Sequence, residues 1–330
     1  MGDEMLEKPA NALPTADILG LRSLVNRHMK GLLSSIGHLS LSPQLDYCLL
    51  SPGKRLRPLI VLLSTYAVGG DLEKSLPLAL SIEALHTATL VHDDAIDRDQ
   101  DRRGVPTVHT RWGVGDAILV GDSLISLSIS LAADYGREIV KIIANTGLEL
   151  SDGEHAEASS QLKISTENQY YARIRGKSAA LFRAAARVGA LAGGGNGREV
   201  DALGEFGERF GLAYQIRDDI QDLMEKGSEM PRDLRNKVPT LPILHLYRNG
   251  DAGVRRLLDR GFTEGFSIAE ARQIVVELES SGSILYCEQK IEENLGAALR
   301  ALAEIRFAKA KNLLTELFEV AIPHVGMQPP

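Results

Sequence analysis

Apolar residues recur at spacings of three and four along most of the chain, the spacing that turns one side of an α-helix towards a core. The pattern predicts successive helices over 56–68, 74–98, 114–134, 137–162, 167–192 and 198–225, and no convincing strand. Ser51-Pro52-Gly53, Gly69-Gly70-Asp71, Gly104-Val105-Pro106, Gly193 to Gly195 and Gly227 through Pro231 mark loops between them. Around Leu80 to Val91 and Ala117 to Leu131 nearly every face is apolar, and helices without a broad polar side are normally enclosed by others. Glu83, His86, Asp116 and Asp122 interrupt these segments, which argues against a membrane span. The expected fold is all-α, one large single-domain helical bundle over 16–330 behind a frayed stretch at 1–15.

Composition narrows the function classes. With 37 Lys and Arg against 44 Asp and Glu the net charge is −7, a poor balance for nucleic-acid binding, which draws its affinity from phosphate neutralisation. The hydrophobic share of 44% is that of an ordinary folded protein and supplies a core. Cys48 and Cys287 form no C-x-x-C pair, so neither a disulfide framework nor a zinc finger is expected. No run reaches about 18 uninterrupted apolar residues, and the N-terminus lacks a basic start followed by an apolar stretch. The expectation is a cytoplasmic protein with no transmembrane segment.

The densest chemistry is LVHDDAIDRDQDRRG. On a helix Asp93, Asp94 and Asp97 stand three and four residues apart and converge on one side, where like charges repel unless cations offset them. YQIRDDIQD repeats the spacing with Asp218, Asp219 and Asp222, and Gln215 lies one turn ahead. A single such cluster reads as easily as a solvated acidic face. Two of them, each closing an apolar helix, suit magnesium, which takes one or two carboxylates together with substrate phosphates. Zinc fits less well, since no His or Cys accompanies the aspartates at ligand spacing.

Gly53-Lys54-Arg55-Leu56-Arg57-Pro58 puts three cations at a helix start, a place that favours anions, although a basic surface turn would read the same way. Arg102, Arg103 and Lys177 add further cations, and His86 precedes Asp93 by two turns on the same stripe. Metal-type carboxylates and phosphate-type cations bordering apolar helices together imply a substrate with a diphosphate head and an apolar tail.

In these residues the chain resembles the trans-isoprenyl diphosphate synthases, or polyprenyl synthetases. GKRLRP, HTATLVHDDAID followed by RRG, GKSAALF, YQIRDDIQD and DLRNKVPTLP occur in that family's order between about Gly53 and Pro242. The resemblance implies an isoprenoid-synthase bundle around a deep apolar cavity, usually a homodimer, that condenses isopentenyl diphosphate with an allylic diphosphate primer. It also implies up to three magnesium ions. Asp93, Asp94 and Asp97 would hold two of them on the allylic diphosphate, and Asp218, Asp219 and Asp222 the third. Arg102 and Lys177 would join them at the leaving group; Lys54, Arg57, His86 and Arg103 would bind isopentenyl diphosphate. Ser178, where relatives commonly have Thr, and Gln215 would direct oxygen dipoles at the carbocation.

The chain departs from the family where Gly227-Ser228 replaces a Gly-Lys pair, for which Lys226 or Arg232 could substitute. Lys237 is shifted by one place relative to Thr240-Leu241-Pro242, and VGMQPP is no basic tail. The resemblance places the cavity floor at Thr89 and Ala88, with Leu85 and Ser81 beyond. Both floor residues are small, so the expected product is C20 or longer and a bulky residue at Ala88 is expected to shorten it. Other readings are a non-catalytic or weakly active subunit of a heteromeric prenyl synthase, and a class I terpene cyclase, which needs no second diphosphate pocket.

Overall fold

A computed structural model describes residues 17–160, 164–225 and 230–322; the stretch 1–15, Lys226, Gly227, Ser228 and the VGMQPP end lie outside the described residues. The first helices are α1 (Ile18–Ser35), α2 (Ser42–Leu49), α3 (Leu56–Ala67), α4 (Leu72–Asp97), α5 (Val108–Trp112) and α6 (Val114–Ala132). Next come α7 (Arg137–Ser160), α8 (Glu167–Ile174), α9 (Ala180–Ala192) and α10 (Gly197–Leu223). The last are α11 (Arg232–Arg235), α12 (Leu241–Asn249), α13 (Ala252–Glu264), α14 (Ile268–Ser280), α15 (Ser283–Ala301) and α16 (Ala308–Ala321). Local chemistry sets several starts. Asp17 and Asp71 accept from backbone N–H groups of the first turns of α1 and α4, and Thr166 with Gln169 forms a capping box on α8.

Among the described residues the expectation of no strand fails at one place. Asp101–Arg102 (β1) pairs antiparallel with Val105–Pro106 (β2), in the register Asp101 to Pro106 and Arg102 to Val105. The turn residues Arg103 and Gly104 both have positive φ, 55° and 77°, the twist that closes a two-residue hairpin. The helix expected over 167–192 is also interrupted, by a π-helical turn at Arg175–Ala179.

Residue contacts group the chain into two compact units. The first comprises the described residues up to 146 with 181–207 and 301–321; the second comprises the described parts of 147–180 and 208–300, with Ile322. In the first unit α4 packs along α6 and against α3, and α16 covers α3. Leu59, Ile60, Leu62, Leu78, Ile82, Val120 and Leu124 are fully buried there. Thr65 donates its hydroxyl to the Gly189 carbonyl at 2.9 Å, fastening α3 to α9. The second unit has a core of Leu223, Leu234, Ile243, Leu246, Leu258, Phe262 and Ile274.

Burial divides α4 into faces. Ser81, Leu85, Ala88 and His92 form a stripe turned to α6: Ser81 Oγ bonds Ser128 at its carbonyl and hydroxyl, and His92 fills the space beside Gly121. His86, Thr89, Leu90, Asp93 and Asp97 form a half-buried stripe. Thr89 therefore shares a face with the aspartates, whereas Ala88 is sealed at 0% exposure and Leu85 at 4%. The outer face of α6 carries Val114, Ile118, Leu119 and Ile129 in solvent. The helical stretch Val114–Tyr135 is long and apolar enough to cross a membrane by composition. Asp116 on it accepts a hydrogen bond from Gln44 at 2.9 Å.

Candidate active site

The cations at the start of α3 do not all face one way. Arg55 sits at φ 54° and turns inward, where its guanidinium bonds Glu83 Oε1 at 2.6 Å, Asn26 Oδ1 at 3.1 Å and the carbonyls of Leu49 and Ser51 at 2.8 Å each. It anchors the loop from inside, apart from Lys54 and Arg57, the two cations of the motif expected to bind a diphosphate. Arg57 lies over the Phe182 ring, 4.1 Å from its centroid, and donates to His86 Nε2 at 3.0 Å. Arg103 donates to the Pro52 carbonyl at 2.6 Å, and Lys54 Nζ reaches the Ala321 carbonyl at 3.4 Å.

Burial, then the nearby Arg57, Arg103, Arg102 and Arg55, hold His86 well below the usual imidazole range. His86 is thus neutral, with the proton on Nδ1 because Nε2 accepts from Arg57. With Arg55 spent on Glu83 and Arg102 on Asp94, Arg57 and Arg103 are the charges beside this uncharged ring that favour an anion. Of Lys54, Arg57, His86 and Arg103, expected together from the motifs, the first unit brings Arg57 and Arg103 to His86, while Lys54 bonds to the Ala321 carbonyl.

Seven residues further along α4 stand the carboxylates. Asp94 is buried, and Asp93 and Asp97 are half-buried in the last turn, where the helix ends with Arg98 at φ 58°. Carboxylates at a helix C-terminus meet the negative end of its dipole, which makes the site costly without cations. Arg102 of β1 supplies one: its Nε and Nη2 lie 2.7 and 2.6 Å from Asp94 Oδ1. The structure thus seats Arg102 on the aspartate motif itself.

In the second unit the GKSA part of GKSAALF runs through the π turn that carries Lys177 and Ser178, a distortion frequent at functional sites. Here α7 crosses so closely that a Cβ on Gly153 would lie 2.3 Å from the Lys177 backbone nitrogen. Lys177 Nζ is held by Glu154 at 2.8 Å and by Glu157. Ser178 is buried.

The second aspartate cluster is unequal. Asp218 is exposed. Asp219 is buried, with Oδ2 accepting from the Tyr170 hydroxyl at 2.6 Å and Oδ1 from Gln215 Nε2 at 2.8 Å. Gln215, expected to aim an oxygen at a cation, thus commits its amide N–H to an aspartate. Asp222 accepts the backbone N–H groups of Arg232 and Asp233 at 3.2 and 2.9 Å. Burial pushes Asp219 up to about 7, against the bonds from Tyr170 and Gln215 and the attraction of Arg173. Burial also raises Asp222, and raises Asp233 well above the carboxylate range, reinforced by Asp219, Asp222, Glu157 and Asp218. Tyr170 is held protonated by burial and by Asp219, so it is the donor.

The donor set fits a hard divalent cation. Burial first, and then the neighbouring carboxylates, raise the proton affinities of Asp219 and Asp233, and Asp233 Oδ2 is closed from solvent with no hydrogen-bond partner among the described residues. Among the described residues no group of three or more acidic, His or Cys side chains could hold a metal ion by itself.

Sequence reasoning missed Glu154, Glu157, Tyr170 and Asp233. Only the three-residue spacing of the two glutamates on a helix and the position of Asp233 in DLRNKVPTLP hinted at them. Lys237, at φ 55°, sends its amine to the Thr263 carbonyl at 2.9 Å, outside this group.

The polyprenyl synthetase family matches residues 39–278. The chain is 31% identical over 281 residues to a geranylgeranyl diphosphate synthase of Methanosarcina mazei, covering 82% of this chain and 85% of that one. It is 35% identical over 281 residues to an all-trans-nonaprenyl-diphosphate synthase (geranyl-diphosphate specific) of Rhodobacter capsulatus, covering 83% and 86%. The crystal structure of a decaprenyl diphosphate synthase from Rhodobacter capsulatus superposes with a TM-score of 0.87 at 28% identity, over 94% of this chain and 99% of that one. An all-α fold with these motifs, matched over most of its length, belongs to the polyprenyl synthetase family. Its chemistry is prenyl transfer.

Proposed function

We propose that the protein is a trans-polyprenyl diphosphate synthase that condenses isopentenyl diphosphate with an allylic diphosphate, with magnesium, to a product of C20 or longer. One observation carries the reading: α4 joins two anion-handling groups along one accessible stripe. His86, with its guanidiniums, and Asp93 are seven residues apart, about 10 Å on a helix, a separation suited to two distinct diphosphate heads. A terpene cyclase handles one such head and has no use for the first group.

Lys54, Arg57, His86 and Arg103 are proposed to hold isopentenyl diphosphate. His86 acts as a neutral polar contact, because its Nε2 already accepts from Arg57 and offers no base. Asp93, Asp94 and Asp97 would hold magnesium, which when bound offsets the charge that builds on the departing diphosphate. Arg102 keeps Asp94 oriented and adds its own charge. The second cluster, with Lys177, Ser178 and Gln215, is proposed as a further metal and diphosphate group. Apolar residues beside the charged stripe keep water from the allylic cation. The released diphosphate can take the proton.

Purified protein given magnesium, isopentenyl diphosphate and primers from C5 to C20 is expected to form longer prenyl diphosphates only with the metal, read by chromatography of the extracted lipids. No elongation with any primer would favour a non-catalytic subunit. Small Thr89, on the accessible stripe, supports long products, and Thr89→Phe is expected to shorten them. An unchanged distribution would move the floor elsewhere. The relatives named above make geranylgeranyl and nonaprenyl chains and do not choose between lengths.

A homodimer is part of this proposal. The inner face of α6 is occupied by α4, so exposed Val114, Ile118, Leu119 and Ile129 would pack on the same helix of a second copy. Sedimentation is expected to give twice the chain mass, and Ile118→Glu with Ile129→Glu to give the monomer. We also retain 16–330 as one domain, since the division between the units falls inside helices, and a cytoplasmic setting, which two unpaired cysteines support.

A further inference from the structure

Tyr170 is the fourth residue of α8, and its side chain is fully buried at 0% exposure. Its ring meets Tyr171 edge-on at 5.5 Å and lies 5.5 Å from the Arg173 guanidinium. Packing alone would be served by Phe at such a place. The hydroxyl is instead spent on Asp219 Oδ2 at 2.6 Å, while Gln215 occupies Oδ1 at 2.8 Å. Donors on both oxygens fix the carboxylate plane of Asp219, and with it the turn of α10 that carries exposed Asp218 on one side and Asp222 a turn later.

The same tyrosine acts at a second place. The end of α8 continues directly into the π turn, so the helix that grips Asp219 is also the base from which Lys177 and Ser178 project. Arg173, between Tyr170 and Lys177 in sequence, is fastened to the Pro239 carbonyl at 2.8 Å. It closes the segment on its other side.

We propose that Tyr170 is a positioning residue for diphosphate and metal binding: through its hydroxyl it sets Asp219, and through Asp219 it registers the second aspartate cluster against the lysine-bearing π turn. This rests on the reading that the cluster holds magnesium with a diphosphate. Residues that orient metal ligands typically change metal affinity about 10- to 100-fold when removed.

The test is Mn2+ binding to the full chain in the presence of inorganic pyrophosphate, followed by electron paramagnetic resonance, alongside the magnesium midpoint of activity. Tyr170→Phe is expected to weaken Mn2+ binding about tenfold and to raise the magnesium midpoint equally, with KM for isopentenyl diphosphate unchanged. Asp219→Asn serves as a second background: removing the hydroxyl there should shift the metal midpoint no further. Equal shifts in both backgrounds would overturn the proposal, because the hydroxyl would then act without Asp219. So would identical Mn2+ binding in Tyr170→Phe and the unmodified protein. If Tyr170→Phe fails to fold, comparing the unmodified chain with one carrying 3-fluorotyrosine, which keeps the donor, is expected to show unchanged metal binding, and a tenfold loss would overturn the proposal. Failure of the unmodified protein to bind Mn2+ with pyrophosphate would reject the metal reading itself, a result distinct from all of these.

Discussion

Asp218→Ala is expected to lower turnover about a hundred- to a thousand-fold, the range found when one preorganised group that stabilises developing charge is removed. Its thermal midpoint is expected to stay where it was or to rise slightly. The side chain is exposed, and substitutions there usually change stability by no more than about 0.5 kcal/mol. Asp218 also raises the proton affinity of Asp219 and Asp233 by like-charge repulsion, so its removal relieves strain in the folded state. Asp219→Ala should differ in kind. It orphans the buried Tyr170 hydroxyl, so activity and stability are expected to fall together. Steady-state rates at saturating magnesium with thermal melts of both variants separate the two; a fully active Asp218→Ala would remove the second cluster from the chemistry.

Arg55→Met is expected to cost about 3–5 kcal/mol of folding stability, the usual result of leaving one member of a buried ion pair alone. Both side chains are nearly sealed, at 7% and 5% exposure, and Glu83 would remain charged inside the bundle. The double variant Arg55→Met with Glu83→Leu should recover most of the loss, since apolar replacements of a whole buried pair are often neutral. Arg55 also holds the Leu49 and Ser51 carbonyls, so both variants should raise KM for isopentenyl diphosphate by loosening the loop that presents Lys54 and Arg57. Denaturant melts and initial rates measure the two effects. An undisturbed single variant would show that water, and not Glu83, satisfies that arginine.

Helical spacing alone carried much of the molecule. The apolar runs marked α3, α4, α6, α7, α9 and most of α10, and the intervals in DDAID and DDIQD placed three carboxylates on one side of each helix. Direction across the fold was not legible. Nothing in GKRLRP distinguishes Arg55 from Arg57, because the difference is made by Glu83, 28 residues away. The π turn escaped for a related reason: it lies where α7 comes against Gly176 and Lys177, and the local sequence reads as an unbroken helix. The hairpin at Arg103-Gly104 is too short to show alternation. Glu154 and Glu157 looked like any acidic helix surface until Lys177 was found between them.

The bare crossing at Gly153 has a consequence for how the lysine is aimed. With no space for even one methyl between the two main chains, the span from the helix bearing Glu154 and Glu157 to the base of Lys177 is a fixed dimension of the polypeptide. The ammonium held between Glu154 and Glu157 therefore hangs from a pivot whose place is set by main chain against main chain.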